Sequence, residues 1–248
     1  MIYRSNLTCF DLTPHFKRLV SRPMPHSFGH DVPSDWGDKG VDDPVFGLYK
    51  NCGLWTHDEA AILFNVAKSM PGFWLDIGAH TGWTTAHIYA GLKASGKPGA
   101  KVVPVDPMFA VAEFEARFYE NNPDFRAGAC APRTSAEYFR RHLDMGDDFT
   151  GVCIDGDHEP GEPLADAQNA ATCLQSTGVI ILHDFVGKPV RDAAVWLMMN
   201  GFKCRVYFTP HMVALCWRGE FVPPNHDPDP GLPDLKARCA DFPFERCV

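Results

Sequence analysis

From Phe73 onward, short apolar runs alternate with longer amphipathic ones, which is how a parallel sheet with crossover helices reads along a chain. The strands this pattern predicts are Phe73–Gly78, Lys101–Asp106, Phe125–Ala129, Gly151–Asp155 and Gly178–His183. Helices are expected between them over Trp83–Leu92, Ala110–Asn121, Thr134–Leu143, Pro163–Leu174 and Pro189–Met199. Two further strands, Phe202–Phe208 and Met212–Trp217, are joined by a short turn at Thr209-Pro210-His211 and should pair as an antiparallel hairpin. Upstream, Thr56-His57-Asp58-Glu59 opens an apolar-periodic run, Ala60–Met70, with Thr56 as N-cap and Glu59 as its capping-box partner.

Both ends of the chain lack this order. Residues 1–55 are rich in Pro, His, Asp and Gly and carry neither a helical nor a strand period, so they read as an irregular arm or cap. After Glu220 comes Pro223-Pro-Asn-His-Asp-Pro-Asp-Pro-Gly231, a proline density that prevents regular structure, and residues 220–248 read as a tail that wraps or dangles. One principal domain, residues 56–219, is therefore expected: an α/β unit with a seven-stranded, mostly parallel sheet, helices on both faces and a C-terminal antiparallel hairpin.

Composition narrows the partners. With 248 residues, 45% of them hydrophobic, the chain can bury one substantial core. Its formal net charge of -8 argues against nucleic acid or an anionic membrane as the main partner, since an acidic field attracts neither, and a small molecule fits better. No stretch approaches the ~20 continuous apolar residues of a bilayer span, and Met1–Phe10 lacks a signal-like core, so a cytoplasmic location is expected. The nine cysteines have no metal-type spacing and read as reduced, mostly buried thiols; Cys239 and Cys247 are the pair that could bridge. Trp36, Trp55, Trp83 and Trp196 could line an aromatic pocket, although core positions suit such spacings as well.

Four segments carry candidate chemistry. In Trp74-Leu-Asp-Ile-Gly-Ala-His-Thr-Gly-Trp-Thr-Thr85, a buried strand runs into a turn containing Gly78 and Gly82 and then into a helix. Glycines there let the backbone approach a ligand, and the helix start offers free N–H groups. A dinucleotide fingerprint would have glycine two positions after Gly78, where this chain has His80. Asp106 closes the next strand and faces the ligand crevice of a doubly wound sheet, where a carboxylate can accept both ribose hydroxyls; it would also cap the loop before Pro107. The third and fourth segments, Gly151-Val-Cys-Ile-Asp-Gly-Asp-His158 and Val179-Ile-Ile-Leu-His-Asp184, end adjacent strands in acids and histidines. They bring Asp155, His183 and Asp184 to one rim as candidate ligands for Mg²⁺ or another divalent metal.

Taken together, the stretch from about Gly53 to Trp217 resembles class I S-adenosylmethionine-dependent methyltransferases. It is similar to the small-molecule O-methyltransferases related to catechol O-methyltransferase, and more closely to the macrocin- and cephalosporin-type branch. The motifs that carry the likeness are the turn from Asp76 through Gly78, His80, Thr81, Gly82 and Thr84, the Ile154-Asp-Gly-Asp-His158 run, and Leu182-His-Asp-Phe185 followed by Gly187-Lys-Pro-Val-Arg-Asp-Ala-Ala194. The resemblance implies a Rossmann-like class I fold with S-adenosylmethionine as cofactor. It implies that Gly78, His80 and Thr84 border the methionine portion, that Asp106 holds the ribose, and that Ser135 lies near the adenine. Asp155 would coordinate a metal or face the cofactor's amino group. Where catechol-type enzymes carry a lysine base three residues after that aspartate, this chain has His158, and an imidazole can take a proton from a hydroxyl. His158 and Asp155 are thus the catalytic candidates, the acceptor is expected to be a small hydroxyl-bearing molecule, and relatives of this kind often form homo-oligomers. A non-catalytic S-adenosylmethionine- or nucleotide-binding protein of the same fold and an NAD-dependent oxidoreductase stay open as alternatives.

Overall fold

The computed structural model describes residues 55, 57–143, 149–209, 211–226 and 235–248. Nearly all of the N-terminal arm, together with Trp36 and the expected cap Thr56, lies outside the described residues. The chain order is α1 (His57–Ser69), β1 (Phe73–Ile77), α2 (Trp83–Ser95), β2 (Lys101–Val105), a short 3-10 turn (Pro107–Ala110), α3 (Ala112–Asn121), α4 (Ser135–Leu143), β3 (Phe149–Ile154), α5 (Glu162–Cys173), β4 (Leu174–Leu182), α6 (Lys188–Met199), β5 (Lys203–Tyr207), β6 (Val213–Arg218) and α7 (Leu235–Arg238).

The strands form one sheet in the order β2-β1-β3-β4-β6-β5. β1 pairs parallel with β2 and β3, and β3 pairs parallel with β4. β6 then inserts antiparallel between β4 and β5. Its run Val213-Ala-Leu-Cys-Trp217 is buried along its length, as an interior strand requires, whereas in β5 only Cys204 and Tyr207 are buried, as an edge allows.

Six strands, not the expected seven, are present among the described residues. The strand anticipated over Phe125–Ala129 does not form; Ala131 alone makes a parallel bridge to Val105. Gly128 takes a φ of 83°, and the amides of Gly128 and Ala129 both donate to the Tyr119 hydroxyl, so this backbone is satisfied by a side chain.

Alternation along the strands divides the core in two. Trp74, Val102, Cys153, Ile181 and Leu215 face α1 and α2, while Leu75, Val152, Ile154, Ile180 and Ala214 face α5 and α6. Trp74 is fully buried, and truncating it to Ala would cost about 3–5 kcal/mol.

The tail lies on the domain where it is described. The Tyr207 hydroxyl and the Arg205 guanidinium donate to the Pro224 carbonyl, and the Val248 amide donates to Cys204 along the edge strand. Cys239 and Cys247 do not bridge: both are free thiols, Cys239 buried against Arg191 and Met212, Cys247 facing Cys204.

Candidate active site

The turn after β1 contains two glycines with different work. Gly78, at φ 77°, donates its amide to Val105, and a Cβ added to it would sit 2.0 Å from the Asp155 carbonyl oxygen. No side chain fits there. Gly82, at φ 88°, has its open side filled instead by the Phe118 ring and the Asn122 amide of the segment ending α3. Its carbonyl and that of Thr81 accept from Asn122 and Asn121. Gly82 and the buried Thr81 therefore fasten the turn to α3.

Beneath the turn, Asp76 is fully buried and its Oδ2 accepts from the Thr84 and Thr85 hydroxyls. Burial pushes its carboxyl from 3.8 up to about 7; the two hydroxyls pull it down, and Asp155 and Asp106 push it further up. Asp76 and Thr84 thus hold the turn from below.

Above the turn opens a cleft of about 360 Å³, lined among others by Gly78, His80, Asp106, Thr134, Ser135 and Asp155. Asp106 accepts from the Met108 amide at Oδ1 and from the His80 amide at Oδ2, both at 2.8 Å. It caps the loop after β2 as well as facing the cleft, since each carboxylate oxygen has a second lone pair. Burial lowers the His80 imidazole below its ordinary value against the pull of Asp106 and Asp155, which favours the neutral ring. Ser135, at the start of α4, bonds Asp166, whose carboxyl burial raises to about 6.

At the rim the strand ends bring charges together. Asp155 follows β3; its Oδ2 accepts from the Trp55 indole N–H at 2.7 Å, and its Oδ1 lies 3.1 Å from His183 Nδ1. His158 Nε2 stands 3.8 Å from Asp155 Oδ1 and 3.6 Å from Asp184 Oδ2. Asp184 has a left-handed backbone at φ 53°. Burial would raise its carboxyl, but His183 and the neighbouring histidines bring it down to about 2. His183 itself is 1% exposed and stacks on Trp55 at 4.1 Å. Burial alone would lower His183, yet Asp155 and Asp184 hold it well above its ordinary value.

Behind His183 lies Glu59 of α1. Glu59, expected as a capping-box partner, is fully buried; its Oε1 accepts from the His211 amide, and its Oε2 lies 3.2 Å from His211 Nδ1 and 3.5 Å from His183 Nε2. Burial opposes its ionisation, but His211 and His183 hold its carboxyl well below the usual range. A signal was available: Glu59 falls in register with Ile62, Leu63 and Val66, on the helix face that buries. Trp55 and His211 carried no comparable signal.

Among the described residues two donor groups result, each with its ligand atoms within 4.8 Å of one another: Asp155, His158 and Asp184 at the rim, and Glu59, His183 and His211 in the interior. His183 lies beside Asp155 and Asp184 through its Nδ1, as expected, and its Nε2 belongs to the interior group; His158 joins the two acids at the rim.

Residues 75–185 match the family model described as a methyltransferase domain. No curated protein matches the chain. Among solved structures, the O-methyltransferase from Bacillus cereus in complex with SAH is similar with a TM-score of 0.54 at 14% identity, covering 67% of this chain and 83% of that one. The O-methyltransferase TomG from Streptomyces achromogenes, in complex with SAM, is similar with a TM-score of 0.50 at 15% identity, covering 66% and 82%. No helix among the described residues is long and apolar enough to cross a membrane. A glycine turn beneath an open cleft, an acid at the end of the second strand and an antiparallel interior strand thus coincide with that match: the chain has an α/β methyltransferase fold, and its residues 75–185 are similar to a methyltransferase domain.

Proposed function

We propose that this protein is an S-adenosylmethionine-dependent O-methyltransferase whose acceptor is a small molecule bearing a hydroxyl group. The observation that carries the reading is continuity: the cleft over Gly78, His80, Asp106 and Ser135 runs directly to Asp155, beside which stands the His158 imidazole. The residues suit the methyl donor, because a Cβ at Gly78 would close the cradle and Asp106 keeps acceptor capacity toward the cleft. When bound, S-adenosylmethionine supplies the methyl group from its sulfonium.

On this reading Asp106 holds the ribose hydroxyls, the Gly78–His80 backbone borders the methionine portion, and Ser135 lies beside the adenine. Asp155, fixed by the Trp55 indole and by His183, faces the donor's amino group. His158, partly exposed at the rim, takes the acceptor's proton as the C–O bond forms and the C–S bond breaks, and passes that proton to solvent. The irregular arm, residues 1–55, shapes the acceptor site, residues 56–219 carry the chemistry, and residues 220–248 wrap the domain. Homo-oligomerisation and a cytoplasmic location belong to the same reading.

The rim group favours a second version. Asp155, Asp184 and His158 would hold a divalent ion, which would lower the acceptor hydroxyl's pKa and fix its direction. His158 would then be a ligand and not the base. The test is methylation of a panel of small phenols and sugar hydroxyls with labelled methyl donor. The base reading expects His158→Ala to lower kcat about 10²- to 10⁴-fold with the donor's Kd unchanged, and activity to survive chelator. Activity abolished by chelator and restored by Mg²⁺ would select the metal version; absence of donor binding altogether would end both.

A further inference from the structure

The buried group of Glu59, His183 and His211 lies behind the cleft and touches it only through the His183 contact to Asp155. These residues come from α1, the end of β4 and the turn before β6. Their side chains are 0%, 1% and 10% exposed. We propose that they form a structural binding site for a divalent transition metal, Zn²⁺ foremost, with Glu59 Oε2, His183 Nε2 and His211 Nδ1 as ligands.

Three observations carry this. The first is spacing. Glu59 Oε2 lies 3.2 Å from His211 Nδ1 and 3.5 Å from His183 Nε2. Charge-assisted hydrogen bonds between such groups draw in to about 2.7–2.9 Å. Ligands bound tetrahedrally at about 2.0–2.1 Å stand about 3.3 Å apart, which is the separation seen.

The second is the far side of His183. Metal-bound imidazoles nearly always give their other N–H to a carboxylate, a backbone carbonyl or water. His183 Nδ1 lies 3.1 Å from Asp155 and 3.4 Å from Asp184, so its Nε2 is the nitrogen turned toward Glu59 and His211. Trp55, stacked at 4.1 Å, fixes the plane of the ring.

The third is charge. Three carboxylates, Glu59, Asp155 and Asp184, converge on His183, two of them through contacts of 3.5 Å or less to its Nδ1. A dication among them offsets more of that charge than a single proton does. Binding displaces any proton at His183 Nε2 or His211 Nδ1 to solvent, so affinity rises with pH. Imidazole with one carboxylate suits Zn²⁺, and Mg²⁺ least. Such an ion ties α1 to the β4 end and to the turn before β6. Through His183 it also sets the direction of Asp155.

The test uses the full chain, freed of metal by chelator dialysis and titrated with Zn²⁺ and with Co²⁺. One tight Zn²⁺ per chain is expected, with the intense visible absorption of tetrahedral Co²⁺ and no thiolate charge-transfer band. His158→Ala, which takes a ligand from the rim group, should keep this ion. Glu59→Gln and His211→Ala should each weaken Zn²⁺ binding at least about a hundredfold. Wild-type protein that takes up no tight Zn²⁺, or a His211→Ala variant that retains it, overturns the proposal. If a variant fails to fold, the wild-type readings decide: a pale octahedral Co²⁺ spectrum, or a thermal midpoint unmoved by Zn²⁺, counts against the site.

Discussion

The end of β1 and the end of β4 lie two strands apart in one sheet and are built on opposite plans. The first is made of backbone: glycines, amides aimed at Asp106, and a buried acid holding two threonines. The second is made of ionisable side chains, with Asp155, His158, His183 and Asp184 in mutual reach and Glu59 and His211 behind them. A site that must accept one invariant molecule can be rigid and mostly peptide, because shape suffices. A site that must move a proton needs groups whose charge responds to neighbours. The difference also separates their failure modes: the first fails by steric exclusion, the second by loss of charge balance.

Substitutions can press on that contrast. The largest effect is expected from Gly78→Ala, where the new methyl meets the Asp155 carbonyl at 2.0 Å in a left-handed backbone. Unfolding free energy should fall by about 4 kcal/mol or more and donor binding should vanish in calorimetry. Gly82→Ala, pressed against Phe118 and Asn122, should lose stability while the fraction that folds still binds the donor; if both variants bind alike, the two glycines have not been told apart.

Next comes the pH dependence set by Asp76. Its folded value, about 7, lies above the unfolded 3.8, so the folded state holds the extra proton between them. Stability from this group is greatest below the unfolded value and declines as pH rises to about 7, by about 4 kcal/mol in all. Asp76→Asn lacks this decline, so denaturant titrations from roughly pH 4 to pH 8 should find the variant gaining on wild type. Parallel profiles would remove the buried-acid account.

Asp106→Ala should weaken donor binding by about 1.5–3 kcal/mol, the worth of hydrogen bonds to a charged group, and loosen the loop after β2. The smallest effect belongs to the charge-built end: Trp55→Phe keeps the stacking on His183 and removes one N–H from Asp155. A loss of about 1 kcal/mol in kcat/KM is expected, with donor affinity falling alongside because Asp155 faces the donor's amino group, and an unchanged affinity would confine Asp155 to the rim.

The same contrast explains what the sequence disclosed. The backbone-built end is a local object: Asp76, Gly78, His80 and Gly82 fall within seven residues, and strand, turn and helix are legible together. Asp155, His158 and Asp184 were legible because each sits at or just past the end of a visibly apolar strand. Glu59 and His211 were not, because their partnership spans 152 residues and each has a bland local reading, a helix cap and a turn residue. Gly82 was read as a ligand-facing glycine because the crossing of α3 cannot be seen in one dimension. The Phe125–Ala129 strand misled for a related reason: its apolar and small residues suit extended pairing, but the Tyr119 hydroxyl takes their amides.

One consequence of the strand order concerns synthesis. The four parallel strands are complete once Leu182 is made, yet the neighbour of β4 is β6, which begins at Val213. Until then the Val179–Leu182 edge, all of it buried in the finished protein, presents open amides and carbonyls beside apolar side chains. During translation the nascent chain passes through an interval in which its centre is its stickiest surface, and closing that gap needs the antiparallel strand to arrive before a second nascent chain does.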